Sequence, residues 1–317
     1  MLRNTEFEMK RIAVFGANGF IGKNAVKFLS NYSDYEVIAL SRKFDKSIEE
    51  YPNVTYKIVD LLDPFQVISA VENIDVVIQL VSTSSPGMMN QFLEEDIYNN
   101  VIPHISFIRI CLSAKVKRII FLSSGGTVYG QPKYLPIDEN HPTDPLSSHG
   151  ISKLMTEKYY GLFAQTEEQL DYVILRVSNP FGPHQIFKKS QGLIAAVIDK
   201  IKYKQDVLVY GDGTAERDYI YIDDLMSAIV KVIETTDISC EIFNIGSGQG
   251  KSVNEIIKAM ETVMGQDIPI RYIAQRNSDV KKNILDIAKA KKYLKWEPSY
   301  NFENALKETL RFRNVIS

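Results

Sequence analysis

The 317-residue sequence lacks any apolar stretch close to the roughly 20 residues that a membrane-spanning helix requires. Residues 1–10 mix acidic and basic side chains, so they do not form the apolar core of a signal peptide. An excess of charge is also missing: the formal net charge is −2, which gives no electrostatic reason to expect nucleic acid as a partner. We therefore expect a cytoplasmic protein that binds neither membranes nor nucleic acids.

Cysteine occurs only twice, at Cys111 and Cys240, which lie far apart and near apolar residues. We expect both to be buried free thiols in a reducing compartment rather than a disulfide. Histidine is scarce too, and no group of His, Cys and Asp has the spacing of metal ligands, so we predict no metal site. The pattern places His104 on a helix surface and His141 in a loop, whereas His184 follows Gly-Pro in a candidate substrate loop.

The sequence does contain a short apolar run at 12–15, which is followed by glycines at positions 16, 19 and 22. A helical pattern follows at once, and strand, glycine turn and helix in this order are typical of dinucleotide binding. Glycines let the chain turn sharply and let a pyrophosphate approach the backbone N–H groups at the helix N-terminus. A plain tight turn is the alternative. The predicted cofactor contacts in this loop are Gly16, Asn18, Gly19, Phe20, Ile21 and Gly22.

Strand-like apolar runs alternate with amphipathic segments through the first half of the chain. The runs lie at 12–15, 37–40, 56–59, 75–80, 118–122 and 172–177, and the helical segments near 20–31, 64–72, 90–114 and 148–165. This alternation predicts an α/β fold, a Rossmann-type doubly wound parallel sheet with right-handed crossovers. Shorter elements follow residue 183, with turn signals at 211–213 and 246–248 and helices near 252–264 and 302–313.

This change of character predicts two lobes. Residues 10–180 are expected to form a dinucleotide-binding domain, to which 219–245 returns. Residues 181–218 and 246–317 are expected to form a smaller α/β lobe that binds the substrate. Ligands of such proteins bind in the cleft at the carboxyl ends of the strands.

One stripe of the helix predicted near 90–114 is apolar. Such a stripe is typical of a four-helix dimer seam, so we expect a homodimer, although the stripe could equally pack on the sheet. Its residues are Ile97, Val101, Ile105, Ile108 and Leu112.

The end of the second predicted strand bears on which dinucleotide is bound. An acid usually follows the glycines by about 20 residues where the ribose 2′-hydroxyl is free, but here Ser41 and Arg42 stand at the strand's tip. Ser41 can donate to a 2′-phosphate and Arg42 can grip it, which favours NADP over NAD, with NAD still possible and a solvated Arg42 as the alternative. Asp60, after the third strand, is placed to accept from the adenine amino group or to cap a turn. Leu61 and Leu80 complete the predicted cofactor contacts.

The second reactive segment is Ser-Ser-Gly-Gly-Thr-Val-Tyr-Gly at 123–130, followed by His149 and Lys153 at the start of a predicted helix. Residues 149 and 153 are four apart and share one helical face. Lys153 can hydrogen-bond the nicotinamide ribose, and its charge lowers the pKa of a neighbouring acid. A proton donor one turn earlier would face the cofactor ring, where hydride transfer needs acid–base help.

Together these motifs resemble the extended short-chain dehydrogenases/reductases that act on nucleotide sugars. The match rests on Gly-Ala-Asn-Gly-Phe-Ile-Gly (16–22), the segment 123–130, Gly-Ile-Ser-Lys-Leu (150–154) and Asn-Pro-Phe-Gly-Pro (179–183). It continues through 211–225, Asn-Ile-Gly-Ser-Gly (244–248) and Leu-Lys-Trp-Glu-Pro (294–298), and so covers about residues 10–310. UDP-glucose 4-epimerases, 4,6-dehydratases and 4-keto-6-deoxysugar reductases share this plan, so the resemblance implies an enzyme.

The resemblance also implies residues that hold the substrate. Asn179 and Arg217 would contact the diphosphate of a nucleotide sugar. Thr83, Thr127 and Arg276 are further substrate-binding candidates. An Asn in a turn before proline and an Arg in a surface loop are the alternatives for Asn179 and Arg217.

Two positions depart from the family's pattern. The catalytic tyrosine aligns with His149 and the catalytic Ser or Thr with Gly125, while Lys153 is retained. Histidine can donate or accept a proton near neutrality, and the charge of Lys153 makes it easier to deprotonate. Ser124, Thr127 or Thr83 could orient the carbonyl in place of the missing hydroxyl, so the predicted catalytic residues are His149, Lys153, Ser124 and Thr127. The alternative is that His149 only fills the tyrosine's position.

The resulting functional prediction is an NADP(H)-dependent reductase of a nucleotide-linked 4-keto-6-deoxyhexose of the dTDP-4-dehydro-6-deoxyglucose type. Hydride would pass to C4 of the sugar, in the synthesis of surface polysaccharide such as the O-antigen of lipopolysaccharide. One alternative is a UDP-sugar 4-epimerase, acting on UDP-glucose or UDP-GlcNAc with bound NAD. An alternative of another class is a catalytically silent sensor of nucleotide sugar or NADP, suggested by the loss of both Tyr and Ser.

Overall fold

The computed structural model describes residues 9–45, 48–84, 93–167, 170–187, 192–274 and 280–316. The strands are β1 (Lys10–Phe15), β2 (Tyr35–Ser41), β3 (Val54–Ile58), β4 (Val76–Gln79), β5 (Arg118–Ser124), β6 (Tyr172–Val177), β7 (Asn179–Phe181), β8 (Val207–Tyr210), β9 (Glu216–Tyr221), β10 (Glu241–Ile245), β11 (Gly250–Ser252), β12 (Ile270–Ile273) and β13 (Lys282–Asn283). The helices are α1 (Phe20–Leu29), α2 (Pro64–Ala70), α3 (Leu93–Asp96), α4 (Ile102–Ser113), α5 (Ser148–Thr166), α6 (Leu193–Lys202), α7 (Ile222–Glu234), α8 (Val253–Met264), α9 (Ala288–Tyr293) and α10 (Phe302–Phe312).

A parallel sheet of seven strands, in the order β10-β6-β5-β4-β1-β2-β3, forms the centre of the structure. The run in β1 is apolar because both faces of the sheet are covered: Ile12 and Val14 pack into one core cluster, and Ala13 and Phe15 into the other. The carboxyl ends of the central strands open onto one edge, where the glycine loop after β1 and the segment after β5 lie. The predicted Rossmann-type α/β fold is confirmed.

The helix predicted near 90–114 is interrupted. A π-helical turn, Ile97–Val101, joins α3 to α4, where Pro103 lacks the N–H that an α-helix would donate four residues back. The apolar stripe is split as a result: Val101 and Ile108 are buried, whereas Ile97 is 42% exposed. His104 is buried as well, so its predicted position on the helix surface is wrong.

Smaller sheets lie beyond the main one. Strand β9 pairs in parallel with β7 and β13 and antiparallel with β11, and β8 pairs in parallel with β12. Strand β10 then returns to the main sheet beside β6, with Glu241 opposite Val173 and Ile245 opposite Val177. Among the described residues, no helix combines the length and the apolarity that crossing a bilayer needs.

Of two further predictions about single side chains, the one for Cys240 needs correction and the one for His141 is confirmed. Both cysteines are free, and Cys111 is buried, but Cys240 is exposed because it stands in a turn at φ 54° just before β10. His141 lies in a loop as predicted and is nevertheless buried, since its Nε2 accepts from the Lys133 amide at 2.9 Å and its ring packs edge-on against Tyr129.

Candidate active site

The glycine loop between β1 and α1 is built for close backbone approach. Gly16 has φ +87°, and a side chain there would press on Leu80 at 3.3 Å. A Cβ at Gly22 would lie 2.1 Å from the Gly16 carbonyl oxygen, so no larger residue fits. Helix α1 begins at Phe20 and directs its first N–H groups toward the loop, while Asn18 Oδ1 is buried without a partner among the described residues. These residues fit the diphosphate of a dinucleotide.

At the tip of β2, Ser41 is half-buried and Arg42 is exposed. The first acid to follow them in the described chain, Asp45, forms an ion pair with Lys23 of α1. Asp60 uses Oδ1 to accept from the Leu62 amide at 3.0 Å, which is the turn-capping arrangement, and its other carboxylate oxygen is not used in that contact. Among the described residues, the tip of β2 itself therefore presents Ser41 and Arg42 where a ribose 2′ substituent is expected, while the carboxylates of Asp45 and Asp60 make the contacts just named.

Helix α5 positions the second reactive pair. Ser147 caps the helix by accepting from the Gly150 amide at 3.2 Å, and His149 and Lys153 follow on one face. Lys153 Nζ donates to the Leu122 carbonyl at 2.7 Å and lies 4.7 Å from the centre of the Phe121 ring. Burial lowers the pKa of Lys153 to about 8, against an opposing effect of Glu157.

His149 also contacts the loop that follows β4. The ring is 8% exposed, and its Nδ1 lies 3.1 Å from Ser84 Oγ. Burial, and then the charge of Lys153, lower the pKa of His149 to about 3. The sequence also predicts a lowered pKa for His149, on account of Lys153. In the structure burial lowers this pKa more than the charge of Lys153 does. His149 is therefore an uncharged imidazole throughout the physiological range.

At Gly125, the position that aligns with the family's catalytic Ser or Thr, neighbouring atoms occupy the space that a side chain would need. A Cβ on Gly125 would lie 2.6 Å from Leu285 Cδ1 and 2.9 Å from the Arg176 carbonyl oxygen, so a serine does not fit without a shift. Nearby, the Thr127 hydroxyl is buried without a hydrogen-bond partner among the described residues. A Cβ added to Gly126 would make only ordinary contacts, with Asn179 Oδ1 and Ser124 Oγ each at 3.9 Å. Thr127 and Ser124 are thus the hydroxyls next to the cleft after β5.

Comparison with known proteins agrees with this geometry. The NAD dependent epimerase/dehydratase family matches residues 12–246, which is more than half of the chain. The chain belongs to this family. It is 31% identical to the UDP-glucose 4-epimerase of Bacillus subtilis, covering 96% of each chain. It is 30% identical to the dTDP-4-dehydro-6-deoxyglucose reductase of Escherichia coli, covering 95% of this chain and 96% of that one.

Among solved structures, the UDP-glucose 4-epimerase of Thermotoga maritima with UDP-glucose superposes with a TM-score of 0.88 at 31% identity, covering 96% of this chain and 98% of that one. The resemblance read from the motifs is confirmed, and the chain is a nucleotide-sugar oxidoreductase or epimerase of this family.

The predicted substrate residues of this epimerase/dehydratase-family chain lie around β9. Asn179 Nδ2 donates to the Asp218 carbonyl at 2.8 Å, and Arg217 Nη1 donates to the Glu216 carbonyl at 2.9 Å. Arg217 stands beside Asn283, whose Nδ2 donates to the Gly125 carbonyl at 3.2 Å. The segment that carries Arg217 therefore approaches the one that carries Gly125.

Thr83 is brought to the same region, because its amide donates to Asn100 Oδ1 at 2.8 Å and Ser84 contacts His149. Of the other predicted contacts, Leu61 is buried and Leu80 is half-buried beside Gly16. Arg276 lies outside the described residues. His184 has φ +66° and packs edge-on against Phe312, with ring centres 4.6 Å apart.

Sequence reasoning missed a buried polar network beneath the cleft. Arg176 Nη2 lies 2.6 Å from Glu157 Oε2, and both side chains are almost fully buried. Glu157 also accepts from Ser123 Oγ, and Arg176 donates to the Tyr129 hydroxyl at 3.0 Å, which in turn donates to Asn244 at 2.7 Å. Burial raises the pKa of Tyr129 to about 12, so this phenol is a structural group. Two features of the sequence could have indicated this network: Arg176 is the one charged residue in an apolar strand, and Glu157 follows Lys153 by one helical turn.

A second missed residue is Asp218, which is buried in β9. Its carboxylate accepts from the amides of Ser247, Gly248 and Leu285 and from the Ser247 hydroxyl, at 2.7 to 3.3 Å. It thereby ties the loop after β10 and the segment that follows β13 to the segment of Arg217. No group of three or more His, Cys, Asp or Glu side chains that could hold a metal ion occurs in the described parts of the chain.

Proposed function

We propose that this chain is an NADP(H)-dependent reductase of a nucleotide-linked 4-keto-6-deoxyhexose of the dTDP-4-dehydro-6-deoxyglucose type. The observation that carries the proposal is the tip of β2, where Ser41 and Arg42 stand and a carboxylate does not. A carboxylate there would repel a 2′-phosphate, whereas a serine hydroxyl and a guanidinium suit one. A reductase must exchange its cofactor at each turnover, which fits the phosphorylated pool that cells keep reduced for synthesis.

Each residue of the site is given one role in this proposal. The bound dinucleotide would supply hydride to C4 of the sugar. Asn179 and Arg217 hold the diphosphate of the substrate, Arg276 is a further substrate contact, and Thr83 lies with Ser84 beside His149. Thr127, whose hydroxyl is buried without a partner among the described residues, donates to the sugar's C4 oxygen, with Ser124 next to it. His149 and Lys153 deliver the proton that the new alkoxide takes up.

A UDP-sugar 4-epimerase with bound NAD is the second candidate. It is supported by the family's description as NAD dependent and by relatives named as UDP-glucose 4-epimerases. An epimerase removes hydride from C4, lets the keto sugar rotate and returns the hydride to the other face, so it consumes no free cofactor. A silent sensor is the third candidate, supported by the filled space at Gly125.

The deciding experiment is incubation of the purified chain with a panel of 4-keto and ordinary UDP- and dTDP-sugars, with NADPH, with NADH and without added cofactor. A reductase consumes NADPH in proportion to keto sugar and yields the 6-deoxyhexose. An epimerase interconverts ordinary UDP-sugars without net consumption, and this result would overturn the reductase. Binding without any product, by isothermal titration, would identify a sensor.

The homodimer, the cytoplasmic location and the role in surface polysaccharide synthesis are further parts of the proposal. Exposed apolar side chains on neighbouring helices support the dimer, and light scattering of the purified chain tests it. These side chains are Leu93, Ile97, Tyr98 and Ile102 around the π-helical turn, and Ile151 and Leu162 on α5.

A further inference from the structure

Beside His149 and Lys153 lies a small, partly open chamber of about 10 Å³. Its polar lining includes Ser84, Asn100, His104, His149 and Lys153. A space of this size holds one water molecule, and a buried water needs two to four polar partners, which this lining offers. The chamber is therefore suited to a single water in contact with the lysine and both histidines.

His104 gives an independent reason for such a water. The ring is 2% exposed and packs edge-on against Phe121, with ring centres 5.5 Å apart. Neither ring nitrogen makes a well-aligned hydrogen bond to a described residue, although the Asn100 backbone lies within weak hydrogen-bonding reach of the ring. At least one ring nitrogen therefore lacks a partner, which is costly for a buried polar group, and a water in the chamber would remove that cost.

The uncharged state of His149 limits what it can do alone. A neutral imidazole is far too weak an acid to give up its only proton, unless its second nitrogen gains one at the same moment. That second nitrogen has a hydroxyl at hand, because Nδ1 lies 3.1 Å from Ser84 Oγ, which donates when Nε2 carries the ring proton. Ser84 faces the chamber, and so does Lys153, the charged group of the site.

We propose that His149 is a neutral proton relay and that Lys153, acting through the chamber water and Ser84, is the acid of the reaction. This inference rests on the proposed reductase function and deepens it. Hydride arriving at C4 breaks the carbonyl π bond and leaves its electron pair on oxygen. That oxygen takes the proton from His149 Nε2, while Nδ1 takes one from Ser84 Oγ, Ser84 takes one from the water, and the water takes one from the Lys153 ammonium. Lys153 ends as a neutral amine and His149 as the Nδ1–H form. After the product leaves, Nε2 takes a proton from solvent and Nδ1 returns one through Ser84 and the water to Lys153, which restores both groups.

The charges around Lys153 set the expected pH dependence. His104 and His149 face it from α4 and α5 and are uncharged, because burial and the lysine lower the pKa of each to about 3. Glu157, one turn further along α5, is paired with Arg176. The acid must be protonated to act, and the pKa of Lys153 is lowered to about 8, so turnover stays level through neutral pH and falls above about pH 8. If His149 were itself the acid, turnover would fall tenfold per pH unit from pH 5 to 8.

The test combines a spectrum with a rate. Nitrogen NMR of histidine-labelled protein, assigned through His149→Gln, reports which ring nitrogen of His149 carries the proton. In the wild type we expect His149 to carry its proton on Nε2 and the ring not to titrate between pH 5 and 8. In Ser84→Ala we expect this tautomer to be lost or to be mixed with the Nδ1–H tautomer. Turnover of Ser84→Ala should fall about a hundredfold or more, as is usual for loss of a proton-transfer group.

Thr309→Val is the matched control, because the Thr309 hydroxyl is also buried but donates to the Ala305 carbonyl within α10 at 2.7 Å, outside the lining of the chamber. It should leave both readouts unchanged. An Nδ1–H form, a His149 titration near neutrality, or a Ser84→Ala rate equal to that of Thr309→Val would overturn the relay. If the wild type turns over no sugar, the proposed function fails, and the nitrogen spectra still decide whether Ser84 sets the tautomer.

Discussion

The glycine loop and the segment from β5 to α5 serve the same cleft, but they keep to the family's pattern to different degrees. The loop retains every glycine, because a Cβ at Gly22 would lie 2.1 Å from a backbone oxygen. The second segment retains Lys153 and replaces its two hydroxyl partners with His149 and Gly125. Where two backbone segments approach this closely, only glycine fits. Proton transfer to an alkoxide, in contrast, can be performed by more than one set of side chains. The cofactor side is therefore the more constrained by geometry.

The largest effect is expected from Gly22→Ala. The added methyl meets backbone rather than a movable side chain, so the loop must distort, at a cost of about 3 kcal/mol or more in the free energy of unfolding. Dinucleotide binding should be lost with it, as measured by thermal unfolding and titration.

Gly161→Ala is the control for this substitution. It lies inside α5 with its nearest atom, the Tyr172 hydroxyl, at 3.7 Å from the added Cβ, and should stabilise by about 0.5–1 kcal/mol. Equal behaviour of the two variants would show that the loop is not closely packed.

The second prediction separates proton delivery from cofactor binding. His149→Phe removes both ring nitrogens and should abolish turnover, while NADPH affinity stays unchanged because the glycine loop is intact. His149→Tyr restores the family's acid on the same helical face beside Lys153, and should retain or raise activity. A fully active His149→Phe would move the proton donor elsewhere, and an active His149→Tyr with an inactive wild type would favour the sensor.

The third prediction concerns the filled space at Gly125. Gly125→Ser should destabilise by about 1–3 kcal/mol, because its side chain collides with Leu285. Leu285→Ala alone should cost about 2–5 kcal/mol, since Leu285 is fully buried. The double variant should cost clearly less than the sum, as neighbouring residues are not additive. Urea unfolding of all four proteins measures this, and strict additivity would contradict the contact.

The fourth prediction concerns the tip of β2 and affects cofactor binding rather than folding. Arg42→Asp should weaken NADPH binding by about 1.5–3 kcal/mol, the size of a charge-assisted hydrogen bond, with repulsion adding to it. NADH binding should change little. Titration of both cofactors gives the comparison, with Lys43→Asp as the control one residue away. Wild-type protein that binds NADH at least as tightly as NADPH would refute the assignment to NADP.

The main sheet and the glycine loop could be predicted because their signals are local. Apolar runs such as 12–15 and the glycines after them each carry their meaning within a few residues. The depth of His104 was not predictable in the same way, since an ideal helical period assigns it to the surface. The π-helical turn before it inserts extra rotation, which turns the following residues to a different face.

The buried pair of Glu157 and Arg176 was missed for another reason. Its partners come from a helix and a strand that meet only in the folded sheet. The filling of Gly125 by Leu285 likewise joins residues 160 positions apart, and no pattern in one sequence expresses such a contact.

The return of β10 to the main sheet also affects the order in which this chain can fold as it is synthesised. Strand β6 is complete at Val177, but its outer edge is covered only by Glu241–Ile245. Until those residues have left the ribosome, β6 presents a row of unpaired backbone groups, the kind of edge that recruits strands from other chains. A nascent chain stalled between these points would therefore expose an edge that is prone to aggregation, and the main sheet would be complete only after residues 181–245 have been made.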